Sequence, residues 1–385
     1  MKTVAIVGAS LAGARAAQEL RTQGFDGRVV LIGEEPHLPY DRPPLSKAFL
    51  AGTAPRESLD LLDAEDLASL DVRLGTRADS LDASTGSLLL SGGPLAADGV
   101  VVATGGRART LPGTESVAGV HVLRTLADAL ALRAELLPGA RAVIVGGGFI
   151  GAEVASTAAR LGLDVTVLEA LPTPLVRVLG PQLGSLCARL HERNGVALRC
   201  GASVAELTTA AGRVTGVTLA SGEQLAADVV VVGIGMTPAV EWLAGSGLAV
   251  DNGVRTCAGL VTSLPNVVAV GDVAAYGEAG TRHEHWTNAV EQAPVAVANL
   301  LAGRVVREYE PSGYVWSDQY AGTLQLAGHP RPDDEVTFED GGPDDESFVA
   351  AYRRDGRIVA VFGFNHPRGF GRLRRQALRR PVPAA

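Results

Sequence analysis

The 385-residue sequence is short of several things, and each shortage excludes a class of function. Its three cysteines, Cys187, Cys200 and Cys257, are too far apart for a C-x-x-C redox pair or for the ligand spacing of a zinc site. They read as ordinary thiols of a reducing cytoplasm, and no metal is expected. Positive charge is not in excess: a formal net charge of −8 opposes the counterion displacement on which nonspecific nucleic-acid binding depends. No apolar run approaches the roughly 18 residues that span a membrane. The start, MKTVAIVGASLAGARAA, has the Lys-then-apolar look of a signal peptide, but Gly8 and Gly13 and a first strand beginning at residue 3 argue against cleavage there. A cytoplasmic protein is expected. Lysine is nearly missing as well: of 34 Lys and Arg residues only Lys2 and Lys47 are lysine. Either Lys47 escaped the bias, or it marks a place where arginine cannot replace a compact, partly buried ammonium.

What is present is a globular composition, 46% hydrophobic and 20% charged, in a chain long enough for two or three domains. The 47 glycines imply many tight turns and close backbone approaches. One pattern occurs twice. Residues 3–34 read as an apolar strand, a glycine turn, a helix and a second strand ending in an acid, and residues 141–169 repeat it. Each is a βαβ unit, so the fold class is α/β with two doubly wound, Rossmann-like domains. The stretch from Val72 to Leu90 reads as short antiparallel strands, 98–107 as a buried parallel strand entering a glycine turn, and Thr125 to Leu137 as a helix stopped by Pro138-Gly139. Residues 227–238 mirror the earlier strand, 266–275 read as a strand-to-helix turn, and 285–303 as a helix with a proline in its first turns. From Pro311 the pattern changes to aromatic strands, a C-terminal α+β domain with an antiparallel sheet. The implied domains are a discontinuous one over 1–113 and 239–311, a second over 114–238 and a third over 312–385.

A glycine turn from strand into helix brings backbone N–H groups and a helix N-terminus to a pyrophosphate, and an acid ending the next strand accepts from ribose hydroxyls. Gly146, Gly148 and Gly151 fit G-x-G-x-x-G, with Ile150 inside the turn and Glu169 at the expected distance. A carboxylate there suits the free 2′-hydroxyl of NADH and repels the 2′-phosphate of NADPH. The first unit departs from the pattern, because Gly8, Ser10 and Gly13 put a serine Cβ where the backbone comes closest to the pyrophosphate. Glu34 follows at a suitable distance, and Gly271-Asp272 supplies the carboxylate that FAD proteins place near the ribityl chain. Thr104, Gly105 and Gly235, in the turns after the two mirrored strands, complete the candidate cofactor contacts.

The segments LPYDRPPLSKAFLAG (38–52), VVATGGRART (101–110), VIVGGGFIGAEVA (143–155), VVAVGDVA (267–274) and YVWSDQY (314–320) occur in this order over nearly the whole chain. Together they resemble the NADH-dependent ferredoxin reductases of bacterial cytochrome P450 and aromatic-ring dioxygenase systems, which share the glutathione-reductase-type fold. The resemblance implies FAD contacts at Ala12, Glu34, Arg42, Lys47, Ala78, Arg124, Asp272 and Trp286. It implies that Lys47 lies beside flavin N5 and pairs with Glu153, where a fixed ammonium favours the anionic reduced flavin. Trp316, by the same resemblance, covers the flavin edge facing the protein acceptor; the residues alone also allow an aromatic core position. The activity implied is hydride transfer from NADH to FAD, then single-electron transfer to an iron–sulfur ferredoxin that supplies a P450 or other oxygenase, by a monomer or homodimer.

No residue matches the redox cysteines of disulfide reductases: after Tyr40 the chain reads Asp41, Arg42, Pro43, Pro44. An NADH oxidase or diaphorase with a small-molecule acceptor, and an NADH-sensing flavoprotein without a dedicated acceptor, share the cofactor motifs. His283 and His285 lack further ligands for a metal. Arg368, Arg372, Arg374, Arg375, Arg379 and Arg380 either dock an acidic ferredoxin or form a solvated tail. Glu169→Ala is expected to lower the NADH-over-NADPH ratio of kcat/KM by roughly tenfold, the weight of one interaction of about 1.4 kcal/mol. Equal turnover of both nucleotides by the unmodified protein would contradict this assignment.

Overall fold

The computed structural model describes residues 1–82 and 84–377. Two compact units result: residues 1–41, 56–107 and 236–311 form one, and residues 42–55, 108–235 and 312–385 the other.

The first unit is built on a five-stranded parallel sheet in the order Val267–Ala269, Gly99–Val102, Thr3–Val7, Arg28–Ile32, Asp71–Arg73. Its central strands are apolar without alternation because both faces are covered. On one face Val4, Ile6, Val29 and Leu31 join the Leu11–Thr22 and Trp286–Ala302 helices in a single cluster. On the other, Ala5, Val7, Val30 and Ile32 meet Leu81, Leu88, Leu90 and Leu95 of a small antiparallel sheet. Asp71–Arg73 corrects the expectation of antiparallel pairing throughout 72–90. It adds to the edge of the parallel sheet, Val72 opposite Leu31, and only from Ala78 is the pairing antiparallel. Three residues are too few to reveal a partner by periodicity. Residues 266–275 also differ from expectation. After Val267–Ala269 comes one 3₁₀ turn, Gly271–Val273, then the short strand Ala274–Tyr276, and the helix waits until Trp286. Gly271 turns the chain at φ +76°, where a Cβ would come within 2.9 Å of the Ala12 Cβ. Pro294 sits in the middle of the Trp286–Ala302 helix rather than in its first turns.

The second unit repeats the plan. Its parallel sheet runs Ala197–Cys200, Asp164–Glu169, Arg141–Val145, Val229–Val232, Val120–His121. The Phe149–Arg160 helix covers one face through Val154, Ala155 and Ala158, and a three-stranded antiparallel sheet covers the other through Val214, Val217 and Leu219. Thr125 and Asp128 close a capping box on the Leu126–Glu135 helix. The C-terminal sheet, ordered Val315–Gln319, Gly322–Gly328, Arg357–Phe364, Phe348–Arg354, Glu335–Asp340, is antiparallel throughout. One face presses Phe348, Tyr352 and Phe362 onto Leu179, Leu183 and Cys187 of the Val176–Arg193 helix. The other receives Phe370 and Leu373 of the Pro367–Ala377 helix.

His191, on the Val176–Arg193 helix, is 1% exposed, and its Nδ1 lies 2.6 Å from the Tyr320 hydroxyl. Burial pushes the imidazole down to about 4 and the phenol upward, so a neutral ring and a neutral phenol share this hydrogen bond. A folded-state value below the ordinary 6.5 means that the unfolded chain binds the proton more readily between those limits. The contribution to stability is complete above about pH 6.5 and lost as the pH falls toward 4. In His191→Asn, the difference in urea unfolding midpoint between pH 7 and pH 5 should be smaller than in the parent.

Candidate functional site

The two glycine turns obey one steric rule. A Cβ on Gly8, at φ +116°, would stand 2.2 Å from the Ala103 carbonyl oxygen, and one on Gly146, at φ +108°, 2.3 Å from that of Gly233. A Cβ on Gly13 would stand 1.9 Å from the Gly8 oxygen, and one on Gly151 2.0 Å from the Gly146 oxygen. Protein neighbours alone therefore demand these four glycines. The middle position is different, since a Cβ on Gly148 would meet nothing within 4 Å. No protein atom accounts for that glycine, and it is the N-cap of the Phe149–Arg160 helix, where first-turn N–H groups face an approaching anion. The open space and the first-turn N–H groups suit an anion such as a pyrophosphate. Ser10 holds the matching N-cap place on the Leu11–Thr22 helix, in extended backbone conformation, and makes no side-chain cap.

Around the second turn, Glu169 ends its strand with Oε2 accepting from Gly147 N at 2.9 Å and Oε1 from Leu171 N at 2.8 Å. The carboxylate is thus pinned to the turn. Ile150 is an exposed apolar side chain within the same turn, and Gly235 turns at φ +100° with open space before it.

In the first unit, Glu34 lies just beyond its strand, exposed, 3.3 Å from the Arg107 guanidinium. Thr104 Oγ1 donates to the Ala239 carbonyl at 2.7 Å and the Gly105 carbonyl accepts from Ala239 N at 3.0 Å, which ties down the turn after Val102. Ala12 is buried in the first turn of its helix, and Ala78 opens a half-buried strand. The Asp272 carbonyl accepts from Arg282 at 3.0 Å, and Trp286 Nε1 donates to Asp41 at 2.8 Å. These features suit a second dinucleotide.

The densest polar chemistry lies inside the second unit. Glu153, on the buried face of the Phe149–Arg160 helix, is 3% exposed. Its Oε2 lies 2.6 Å from Lys47 Nζ and 2.6 Å from Ser46 Oγ, and its Oε1 2.7 Å from Ser317 Oγ. Lys47 Nζ also donates to the Pro43 carbonyl at 3.2 Å. Arg42 donates to the Arg124 backbone carbonyl, and Asp128 accepts from Arg124 N at 3.0 Å. Trp316 precedes Ser317 on its strand, half-buried, stacked 6.0 Å from Tyr314, over whose ring Arg374 lies at 4.6 Å. Lys47 and Glu153, 106 positions apart in sequence, are thus in direct contact, and Ser317 joins Glu153 to the strand that carries Trp316.

Sequence reasoning passed over Ser46, Ser317, Gln319 and Thr157. A signal existed in VWSDQ, whose alternation turns Ser317 and Gln319 rather than apolar residues to the buried side. Of the C-terminal arginines, Arg368, Arg372 and Arg375 are exposed on the Pro367–Ala377 helix, while Arg379 and Arg380 lie outside the described residues. The His283 and His285 rings stack at 6.3 Å, and no group of three or more metal-ligating side chains occurs among the described residues. Among the described residues no helix is long and apolar enough to cross a membrane.

Residues 2–293 match the model of the pyridine nucleotide-disulphide oxidoreductase family, and residues 314–384 match that of the reductase C-terminal domain. The biphenyl dioxygenase system ferredoxin–NAD(+) reductase component of Paraburkholderia xenovorans (strain LB400) is 40% identical over 96% of this chain and 91% of its own length. Putidaredoxin reductase CamA of Pseudomonas putida is 37% identical over 94% of this chain and 89% of its own. The crystal structure of the covalent putidaredoxin reductase–putidaredoxin complex superposes with a TM-score of 0.91, at 36% identity, covering 97% of this chain and 92% of that one. The paired glycine turns and the family match agree: this chain belongs to the pyridine nucleotide-disulphide oxidoreductases and is an oxidoreductase that uses FAD and NAD(H).

Proposed function

We propose that the chain is an NADH-dependent ferredoxin reductase of the cytoplasm that passes single electrons to an iron–sulfur ferredoxin serving a P450 or other oxygenase. Residues 1–113 and 239–311 hold FAD, 114–238 hold NADH, and 312–385 meet the acceptor. The observation that carries this reading is Lys47, one of two lysines in the chain, held 2.6 Å from a buried carboxylate whose other oxygen is bound from the strand of Trp316. Relatives named as ferredoxin reductases of dioxygenase systems, and one solved with its ferredoxin, support the acceptor class.

FAD would supply the redox chemistry, hydride acceptance from NADH and release of single electrons. The chain supplies the positioning. The N-terminus of the Leu11–Thr22 helix and Glu34 would hold the pyrophosphate and ribose of FAD, and Ala12, Ala78, Thr104, Gly105 and Asp272 would be further contacts. Trp286 would be a cofactor contact of the first unit, and Arg42 and Arg124 would be cofactor contacts of the second. The N-terminus of the Phe149–Arg160 helix binds the pyrophosphate of NADH, bordered by Ile150 and Gly235, and Glu169 accepts from its ribose 2′-hydroxyl. Lys47 would present its ammonium to the flavin, and Glu153 holds that ammonium in place through their 2.6 Å contact. Trp316 would shield the flavin toward the acceptor. Cys187 is buried with its thiol pushed up to about 12, unsuited to act as a redox nucleophile.

Anaerobic mixing with NADH in a stopped-flow instrument should bleach the flavin rapidly, and cytochrome c reduction should depend on adding a ferredoxin from the same genome. Bleaching without any ferredoxin-dependent turnover would refute the acceptor half of the proposal.

A further inference from the structure

The Glu153 carboxylate is held at both oxygens by groups from two separate stretches of chain. Ser46 Oγ, in the Pro43–Ser46 turn, meets Oε2 at 2.6 Å, and Ser317 Oγ, on the Val315–Gln319 strand, meets Oε1 at 2.7 Å. A carboxylate only accepts, so both hydroxyls donate. The direction of the second bond is set independently, because Gln319 Nε2 donates to Ser317 Oγ at 3.1 Å and turns the serine proton toward Glu153. Ser317 and Gln319 are 0% and 1% exposed, so water does not compete for these bonds. The lysine is the looser partner. Its side chain is 20% exposed, against 4% for Glu153, and its four-carbon stem leaves the ammonium free to follow solvent unless its counter-charge is fixed.

Anchoring the strand to the helix does not require Ser317. One turn along the same helix, Ser156 Oγ accepts from Tyr320 N at 2.6 Å, and Thr157 Oγ1 donates to the Ser46 carbonyl at 2.8 Å. Backbone attachment on both sides of Glu153 is therefore already provided, and the Ser317 hydroxyl is spent on the carboxylate alone. We infer that Ser317, oriented by Gln319, is a positioning residue for flavin reduction: it fixes the plane of the Glu153 carboxylate and thereby the place of the Lys47 ammonium. The inference rests on the proposed reading of Lys47 as the cation facing the flavin, and extends it by placing part of the control of that cation on the C-terminal sheet.

The test uses the holoenzyme and the variants Lys47→Met, Ser317→Ala and Ser317→Thr, with Gln319→Met as a second probe that leaves every donor to Glu153 in place. Three quantities are measured: the rate of flavin bleaching at saturating NADH, the NADH dissociation constant and the flavin midpoint potential. Lys47→Met should slow bleaching. Ser317→Ala should slow it by roughly tenfold, within the range expected for loss of a hydrogen bond to a charged group, at unchanged NADH affinity. The potential should fall by about 30 mV, the equivalent of tenfold for a two-electron couple. Ser317→Thr should restore both, Gln319→Met should shift both in the same direction as Ser317→Ala, and Ser317→Ala should add nothing in the Lys47→Met background. Slow Lys47→Met beside a Ser317→Ala with parental rate and potential overturns this inference alone. Parental behaviour of Lys47→Met overturns the reading of Lys47 together with it. A Ser317→Thr as impaired as Ser317→Ala, with melting lowered in both, assigns Ser317 a structural role and also overturns the inference.

Discussion

A carboxylate at 3% exposure cannot stand alone, and the second unit is arranged around that constraint. Removing one partner of such a pair typically costs about 3–5 kcal/mol, because the remaining charge is left buried and uncompensated. Glu153 therefore draws three stretches of chain together. The Pro43–Ser46 turn brings Ser46 and the following Lys47, the Phe149–Arg160 helix brings the acid, and the Val315–Gln319 strand brings Ser317. Thr157 and Ser156 repeat the attachment one turn along the helix. Polar groups at these points join the three segments between the apolar clusters. Such groups add little net stability but penalise any other alignment, because a slip would leave a buried donor or acceptor unmade.

The two dinucleotide turns show how a repeated motif divides between packing and binding. Gly8 with Gly13 and Gly146 with Gly151 are each demanded by a neighbouring carbonyl oxygen closer than any Cβ tolerates. These glycines would be needed in an empty turn. At Gly148, by contrast, a Cβ would meet open space. The serine at the equivalent N-cap of the first unit marks the difference between the two turns. A second difference lies in the acids. Glu169 is clamped by two backbone amides of its own turn, while Glu34 stands exposed beside Arg107. A clamped carboxylate has given up its rotational freedom in advance, which lowers the entropy cost of any further bond it accepts.

Much of the architecture was legible in the sequence because it follows from local rules. A strand entering a glycine turn and then a helix has few other ways to fold, and repetition of the pattern at 3–34 and 141–169 requires two parallel sheets. The change to aromatic strands after Pro311 foretold the antiparallel sheet. Legibility failed where an element was too short or too dependent on its neighbours. Asp71–Arg73 gives no periodic sign that it will pair with Arg28–Ile32, and the single 3₁₀ turn at Gly271–Val273 interrupts what reads as a run from strand into helix.

By itself, then, the sequence determined the two glycine turns, the acid after each and the scarcity that singled out Lys47, since each depends on residue type and on spacing along the chain. Only the tertiary structure decided what Lys47 faces within its unit. The Ser46 and Ser317 hydroxyls, 271 positions apart, converge on one carboxylate, and nothing in local spacing encodes that meeting. The physical reason is that a backbone turn satisfies its demands with near neighbours, whereas a buried charge must be satisfied by whatever the packed fold brings to it.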